Sequence, residues 1–537
     1  MRRRPVLLLM LLVLGLVLPF VDKPVHIDDT FVLHITDQIL MTPLNPFGAE
    51  IDWFGHMMPI WRATTNPPLV SYWLAPVAAA FGDREVLLHV ALVPFYLLFA
   101  WGTFALAGRF LKHPWWPTLF LVLSAPFLVS GNLMRDIPAA GLAVAGMALF
   151  VRGVDGESSP RSAAGGALLG LSVLAKYSMG VVLPVAAAYV LLRRRTKMGL
   201  WLGLPVLLVG AWCLQTWLLY GQVHPLYLLQ ERSGDSNILW PDKFFSGLAI
   251  LGSALFLSPL VLYQSWVSRT WKTLALLGLA APALGAWAYT FYGADFDLQF
   301  QLWLFLGLVL VVGAVYAAAR ERFSSETLFL CLWFVGHLAF SVFFVPFQAV
   351  RHLLVALVPL LILLFRWFEH SPARLQAMRA LSIGLLSLQG VLALSVQVAD
   401  YQYANTYRQF AERATRMYAD RPGRVWFVGH WGWQFYAGRA GFRMLNRDGP
   451  FPATDDLLIW PQKVHVGDVI SANPEFKARL ELLERYEYRS PLPIRTMSIE
   501  ARAGFYAVIR RRIPYRFESA SPLEVFQIFR VKPAADG

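Results

Sequence analysis

Two cysteines in 537 residues leave no basis for a disulfide framework or a cysteine metal cluster. Cys213 and Cys331 both fall inside apolar runs, where they read as small core residues. Charge is scarce as well: Asp, Glu, Lys and Arg make up 15% of the chain, hydrophobic residues 57%, and the mean hydropathy is +0.50. Soluble globular chains carry about 25% charged residues, so this composition belongs to the membrane class. No internal repeat and no low-complexity tract is present. A small-x-small cleavage site is missing too: the first apolar run ends in Phe20-Val21-Asp22-Lys23-Pro24. Arg2–Arg4 and the run after them therefore read as a retained helix, not a signal peptide.

A spanning helix needs about 20 mostly apolar residues. About thirteen such segments can be read, near 5–21, 86–107, 114–131, 137–151, 163–176, 178–192, 199–219, 246–263, 272–290, 301–319, 326–345, 352–367 and 379–399. The split at Lys176 is the least defined. The net charge of +13 is not a nucleic-acid signal, because the cations cluster in alternate loops. With the N-terminus cytoplasmic, that side holds Arg109, Lys112, Arg152, Arg161, Arg193–Arg195, Lys197, Arg269, Lys272, Arg320, Arg322, Arg366, Arg374 and Arg379. This is the positive-inside pattern, and it places a multi-pass protein in a plasma membrane, the bacterial inner membrane by its sparse cysteine.

An odd number of spans puts the C-terminal part outside. Two regions follow: 1–400, a membrane domain with a large first outer loop at 22–85, and 401–537, a soluble α/β domain. In the latter, helices are expected at Asn405–Tyr418 and Glu475–Arg485, and strands at Arg424–Gly429, Leu457–Trp460, Gly504–Ile509 and Val525–Val531. Loops as long as 22–85 are usually functional. This one contains Asp28–Leu40, an interfacial helix with Phe31, Ile35 and Ile39 on one side, and Pro67-Pro68-Leu69, where prolines suit a helix start. A second outer loop, 220–245, carries His224, Glu231, Arg232, Asp235, Asp242 and Lys243.

The adjacent carboxylates Asp28 and Asp29 lie at a membrane surface, where a carboxylate can act as a base toward a lipid-linked substrate. They also suit the start of the following helix as caps. With the Pro-Pro-Leu stretch, with Arg135-Asp136-Ile137-Pro138, with Leu171-Ser172-Val173-Leu174-Ala175-Lys176 and with Arg351-His352-Leu353-Leu354, the chain resembles the multi-span glycosyltransferases of the GT-C type. Among these it is similar to protein O-mannosyltransferases and lipid A aminoarabinose transferase, the family 39-like group. The resemblance covers most of residues 1–370.

That resemblance implies an α-helical polytopic fold with a small α/β C-terminal domain. It also implies an inverting transfer of sugar from a polyprenyl-phosphate carrier to a protein, lipid or glycan acceptor at the outer face. The family's acidic pair is usually Asp followed by Glu; Asp28 matches the Asp, and Asp29 stands where Glu is usual. Asp28 and Asp29 are thus the candidate bases, Lys176 and Arg351 the candidates for holding phosphate, and Arg135 and Asp136 for positioning donor or acceptor. The chemistry needs such a set: a base within reach of the acceptor hydroxyl, and cations for the charge on the departing phosphate. Plainer readings stand beside it. Lys176 suits snorkelling, Arg135 and Asp136 a local loop pair, and Arg351 a helix end.

No cofactor is called for. His26, His34 and His56 share the first outer loop but match no metal-ligand spacing. Asp295 and Asp297 read as loop carboxylates, and the two indoles of His430-Trp431-Gly432-Trp433 suit either sugar stacking or a core. The rival function is a transporter or flippase of a lipid-linked glycan, which paired broken helices in matching halves would favour.

Overall fold

The computed structural model describes residues 3–53, 55–232, 239–370, 375–421, 423–464, 469–508 and 511–533. Arg2, Asp235, Arg374 and Ile509, named above, lie outside the described residues. The chain is a helical polytopic membrane protein with a small mixed sheet near its C-terminus. Eight described helices are long and apolar enough to cross a membrane: Glu85–Phe110, Asp136–Asp155, Thr196–Tyr220, Trp271–Asp295, Leu298–Arg320, Ser325–Phe343, Val350–Glu369 and Met378–Met417. A ninth candidate is the pair Trp240–Ala254 and Ser258–Val267, bent by 83°.

The thirteen expected segments differ from these for local reasons. Arg4–Phe20 and Tyr177–Leu192 are apolar but shorter. The run near 114–131 is two helices, Trp115–Val122 and Ala125–Leu128, broken where Ser124 turns extended before Pro126. The run near 163–176 becomes Ser159–Ala175, whose glycines serve packing. A Cβ on Gly165 would come within 2.5 Å of the Phe150 amide nitrogen, and one on Gly141 within 2.5 Å of the Phe95 carbonyl. Small residues let the helices Glu85–Phe110, Asp136–Asp155 and Ser159–Ala175 approach backbone to backbone.

Charge marks the two ends of this bundle. At one end Arg109 pairs with Asp155 and, at 2.7 Å, with Glu326; Arg366 reaches Glu326 at 2.9 Å and Glu321 at 2.7 Å. The opposite end, where Glu85 and Asp136 begin their helices, carries the first long loop. That loop is folded. Helix Asp29–Met41 buries Phe31, Ile35 and Ile39 against Phe47, Ile51, Trp53, Ile60 and Trp212, so the apolar side read as membrane-facing is an internal packing face. Pro68 precedes helix Leu69–Phe81 as its N-cap.

One helix, Leu375–Met417, runs 43 residues from the bundle into the C-terminal region; the expected helix at Asn405–Tyr418 is its end. The sheet order is Arg443–Met444, Val425–Phe427, Leu457–Pro461, Glu524–Val531 and Leu480–Tyr488. The first three strands are parallel and the last two add antiparallel. The helix expected at Glu475–Arg485 is corrected: Pro474–Ala478 is one short helix, and Leu480–Tyr488 pairs along Glu524–Val531. Strand pairing overrides the helical preference of Leu, Glu and Arg there. The strand expected at Gly504–Ile509 is reduced to Ala503–Gly504.

This region clasps the first loop. Tyr436 Oη accepts from the Val25 amide at 2.8 Å and donates to Glu85, which Arg408 meets at 2.6 Å. Thr30 Oγ1 donates to the Trp431 carbonyl at 2.8 Å. Gly432 permits the contact, because a Cβ there would fall 2.2 Å from the Val25 carbonyl.

Candidate active site

Four chain turns converge at the end of the bundle that carries the long loop. Asp136 is the first residue of helix Asp136–Asp155, where a carboxylate is favoured by the helix dipole. Lys176 ends helix Ser159–Ala175 in extended backbone (φ −157°, ψ 122°) before the 3-10 turn Tyr177–Val181. Arg351 lies in the 3-10 turn Val350–Leu353 that opens helix Leu354–Glu369. Asp28 is the N-cap of Asp29–Met41, yet its side chain makes no capping hydrogen bond.

Their side chains form a ladder of alternating charge. Lys176 Nζ lies 2.5 Å from Asp136 Oδ1; Arg351 Nε lies 3.1 Å from Asp136 Oδ2; Arg351 Nη2 lies 3.5 Å from Asp28 Oδ2. Lys176 therefore does not snorkel away, and Arg135–Asp136 is not a self-contained pair. The buried Arg135 guanidinium leaves Nε and Nη2 without a partner among the described residues. The cluster thus holds three cations against two carboxylates, and Asp28 is its most accessible acid, with 37% of its side chain exposed.

Asp29 is fully buried, its Oδ2 accepting from the His26 amide at 2.9 Å. Burial pushes its carboxyl well above the usual carboxylate range against the pull of that amide, and neighbouring Asp28 adds to the rise. It fastens the turn that presents Asp28.

Beneath the ladder lies a buried network that the sequence reading missed. Lys23 Nζ meets Asp400 Oδ2 at 2.6 Å, and His26 Nε2 lies 3.6 Å from Asp400 Oδ1. Tyr506 Oη donates to Asp400 at 2.7 Å and accepts from Asn132 Nδ2 at 2.7 Å. Burial lowers the His26 imidazole, opposed by Asp400. The usable signal was Asp400 itself, a lone acid at the end of an apolar run, which is a functional-site marker by default.

The other candidates are placed elsewhere. Asp295 binds Arg502 and Arg511, and Asp297 binds Arg516, which tie the C-terminal segment to the helix Leu298–Arg320. Trp433 is fully buried among Phe410, Phe427 and Phe526, so its indole is a core group. Among the described residues, no three His, Cys, Asp or Glu side chains are grouped so as to hold a metal ion.

No family model and no curated protein matches the sequence. Two solved structures of ArnT from Cupriavidus metallidurans are similar to it. The apo structure is 12% identical, covers 98% of this chain and 97% of its own, and has a TM-score of 0.45. The structure bound to undecaprenyl phosphate is 13% identical, covers both chains in full, and has a TM-score of 0.41. At such identity the function has to be argued from the side chains themselves.

Proposed function

We propose that the chain is an inverting glycosyltransferase of the GT-C type. It would move a sugar from a polyprenyl-phosphate carrier to an acceptor hydroxyl at the outer membrane face. The carrying observation is the ladder: an accessible carboxylate, Asp28, beside a cationic cluster with one positive charge in excess. A site for a lipid-linked phosphate needs that excess, and a site for hydroxyl attack needs that acid.

Asp28 takes the acceptor's proton while the acceptor oxygen bonds to the anomeric carbon. The bond from that carbon to the phosphate oxygen breaks, and polyprenyl phosphate leaves with the electron pair. Attack opposite the leaving group inverts the anomeric centre. Arg351, Lys176 and Arg135 meet the phosphate charge, and Asp136 holds the first two in place. Asp29 is left as a positioning residue. The charge asymmetry of the loops supports a cytoplasmic N-terminus and an outward site. Membrane lipid surrounds the donor's chain; the acceptor is a hydroxyl of protein, lipid or glycan.

The bent pair Trp240–Ala254 and Ser258–Val267 favours the transport reading, but it has no counterpart among the described residues. The test is full-length protein in membranes that supply native acceptors, given a synthetic polyprenyl-phosphate sugar. Released polyprenyl phosphate and a product of opposite anomeric configuration are expected. Labelled lipid crossing vesicles with no carrier phosphate released would establish transport instead.

A further inference from the structure

The Tyr506 carbonyl and ring both face Arg351, while its hydroxyl ties it to the buried Asp400 network. Its carbonyl accepts from Arg351 Nη1 at 3.3 Å, and the Arg351 guanidinium stands 5.4 Å over its ring. Its hydroxyl joins Asp400 and Asn132. The flanking backbone is laced to the strap that carries Arg351: the Val350 amide donates to the Phe505 carbonyl at 3.2 Å, and the Val508 amide donates to the Gln348 carbonyl at 2.8 Å. A tyrosine that merely fills a core would bury its ring among apolar neighbours and bond its hydroxyl to whatever lay close. Here a segment from the far C-terminal region holds one cation from below.

We infer that residues 503–508 complete the donor-phosphate site, with Tyr506 as the positioning residue that fixes Arg351 for a polyprenyl phosphate headgroup. This rests on Arg351 being the phosphate-holding group proposed above. The C-terminal region is then part of the site and not an appendage to it. Arg351 is otherwise drawn sideways by Asp28 and Asp136. The Tyr506 carbonyl and ring supply the third direction, which sets where the guanidinium fork points. The buried phenol, pushed well above its usual range by burial and by Asp400, stays protonated and so keeps donating to that carboxylate.

The test uses the full chain and a double-mutant cycle on the donor. Tyr506→Leu removes the ring face, and the donor KM should rise roughly 3- to 30-fold with the acceptor KM unchanged. Tyr506→Phe keeps the ring and should stay within about threefold of wild type. In an Arg351→Lys background, Tyr506→Leu should add little, because the two act through one group. Deuterium exchange of 503–508 should slow when polyprenyl phosphate alone is added. Additive effects in the cycle, or a donor KM unmoved by Tyr506→Leu, would overturn the inference. If wild type binds polyprenyl phosphate but transfers no sugar, only the transfer reading fails, and the cycle is read on binding affinity. If wild type binds none, the phosphate site and this inference fall together.

Discussion

Asp136 holds two cations at once, with Oδ1 2.5 Å from Lys176 Nζ and Oδ2 3.1 Å from Arg351 Nε. It joins a helix start, a helix end and a 3-10 turn that are far apart in sequence. Removing its charge leaves buried Lys176 uncompensated and Arg351 with Asp28 alone. Asp136→Asn is expected to cost about 3–5 kcal/mol, read as thermal unfolding in detergent. Adding Lys176→Met should return part of that loss; a double variant no better than the single would show that the pair is not what stabilises this corner.

Asp28 and Asp29 are expected to separate cleanly. Asp28→Asn should cut turnover by about 10²- to 10⁴-fold with donor binding intact. Asp29→Asn keeps an oxygen for the His26 amide and should leave turnover close to wild type. Equal losses in both would remove Asp28 as the sole base.

Asp29 also has a pH signature. Its folded pKa lies above its unfolded one, so between the two values the fold retains a proton that the unfolded chain has released. Stability therefore falls as pH rises above the unfolded value near 4 and toward the raised folded one. Asp29→Asn is expected to flatten the melting temperature across that window; an unchanged profile would place the titration elsewhere.

Arg135 carries buried nitrogens with no partner among the described residues, a state that costs stability on its own. Arg135→Met should leave the protein as stable or more so, yet weaken polyprenyl phosphate binding by about 10- to 100-fold, the worth of a charge-assisted hydrogen bond. A destabilised variant with normal binding would make this arginine structural.

Gly141→Ala would drive a Cβ to 2.5 Å from the Phe95 carbonyl. Overpacking of this kind costs about 1–3 kcal/mol, and the displaced helix carries Asp136 at its start. Lower thermal stability together with a higher donor KM is expected. A neutral substitution would mean that the helices do not pack so closely.

The membrane class, a helix after Asp28, the break at Lys176 and the strands Val425–Phe427, Leu457–Pro461 and Glu524–Val531 were legible, because apolar run length and alternation are local properties. The strand Leu480–Tyr488 was not, since its residues prefer a helix and only its partner Glu524–Val531 decides otherwise. Motifs singled out Lys176, Arg351, Arg135 and Asp136, but not that Asp136 would bind the first two. Tyr506 was invisible for a stronger reason: its partners Asn132, Arg351 and Asp400 lie more than a hundred residues away. Eight described spans, nine with the bent pair, stand against thirteen because Arg4–Phe20, Ser159–Ala175 and Tyr177–Leu192 are short, and because hydropathy does not register Ser124 or the kink after Ala254 as breaks.

The helix Leu375–Met417 is continuous across residue 400, bringing Asp400 under the site and Phe410 into the sheet's core. Phase is therefore transmitted along it. One residue inserted between those two would swing the whole sheet by about 100° and lift it by about 1.5 Å, unthreading Tyr506 from Arg351. A chimera that replaces the C-terminal region is expected to keep the site only where its junction preserves the helical repeat.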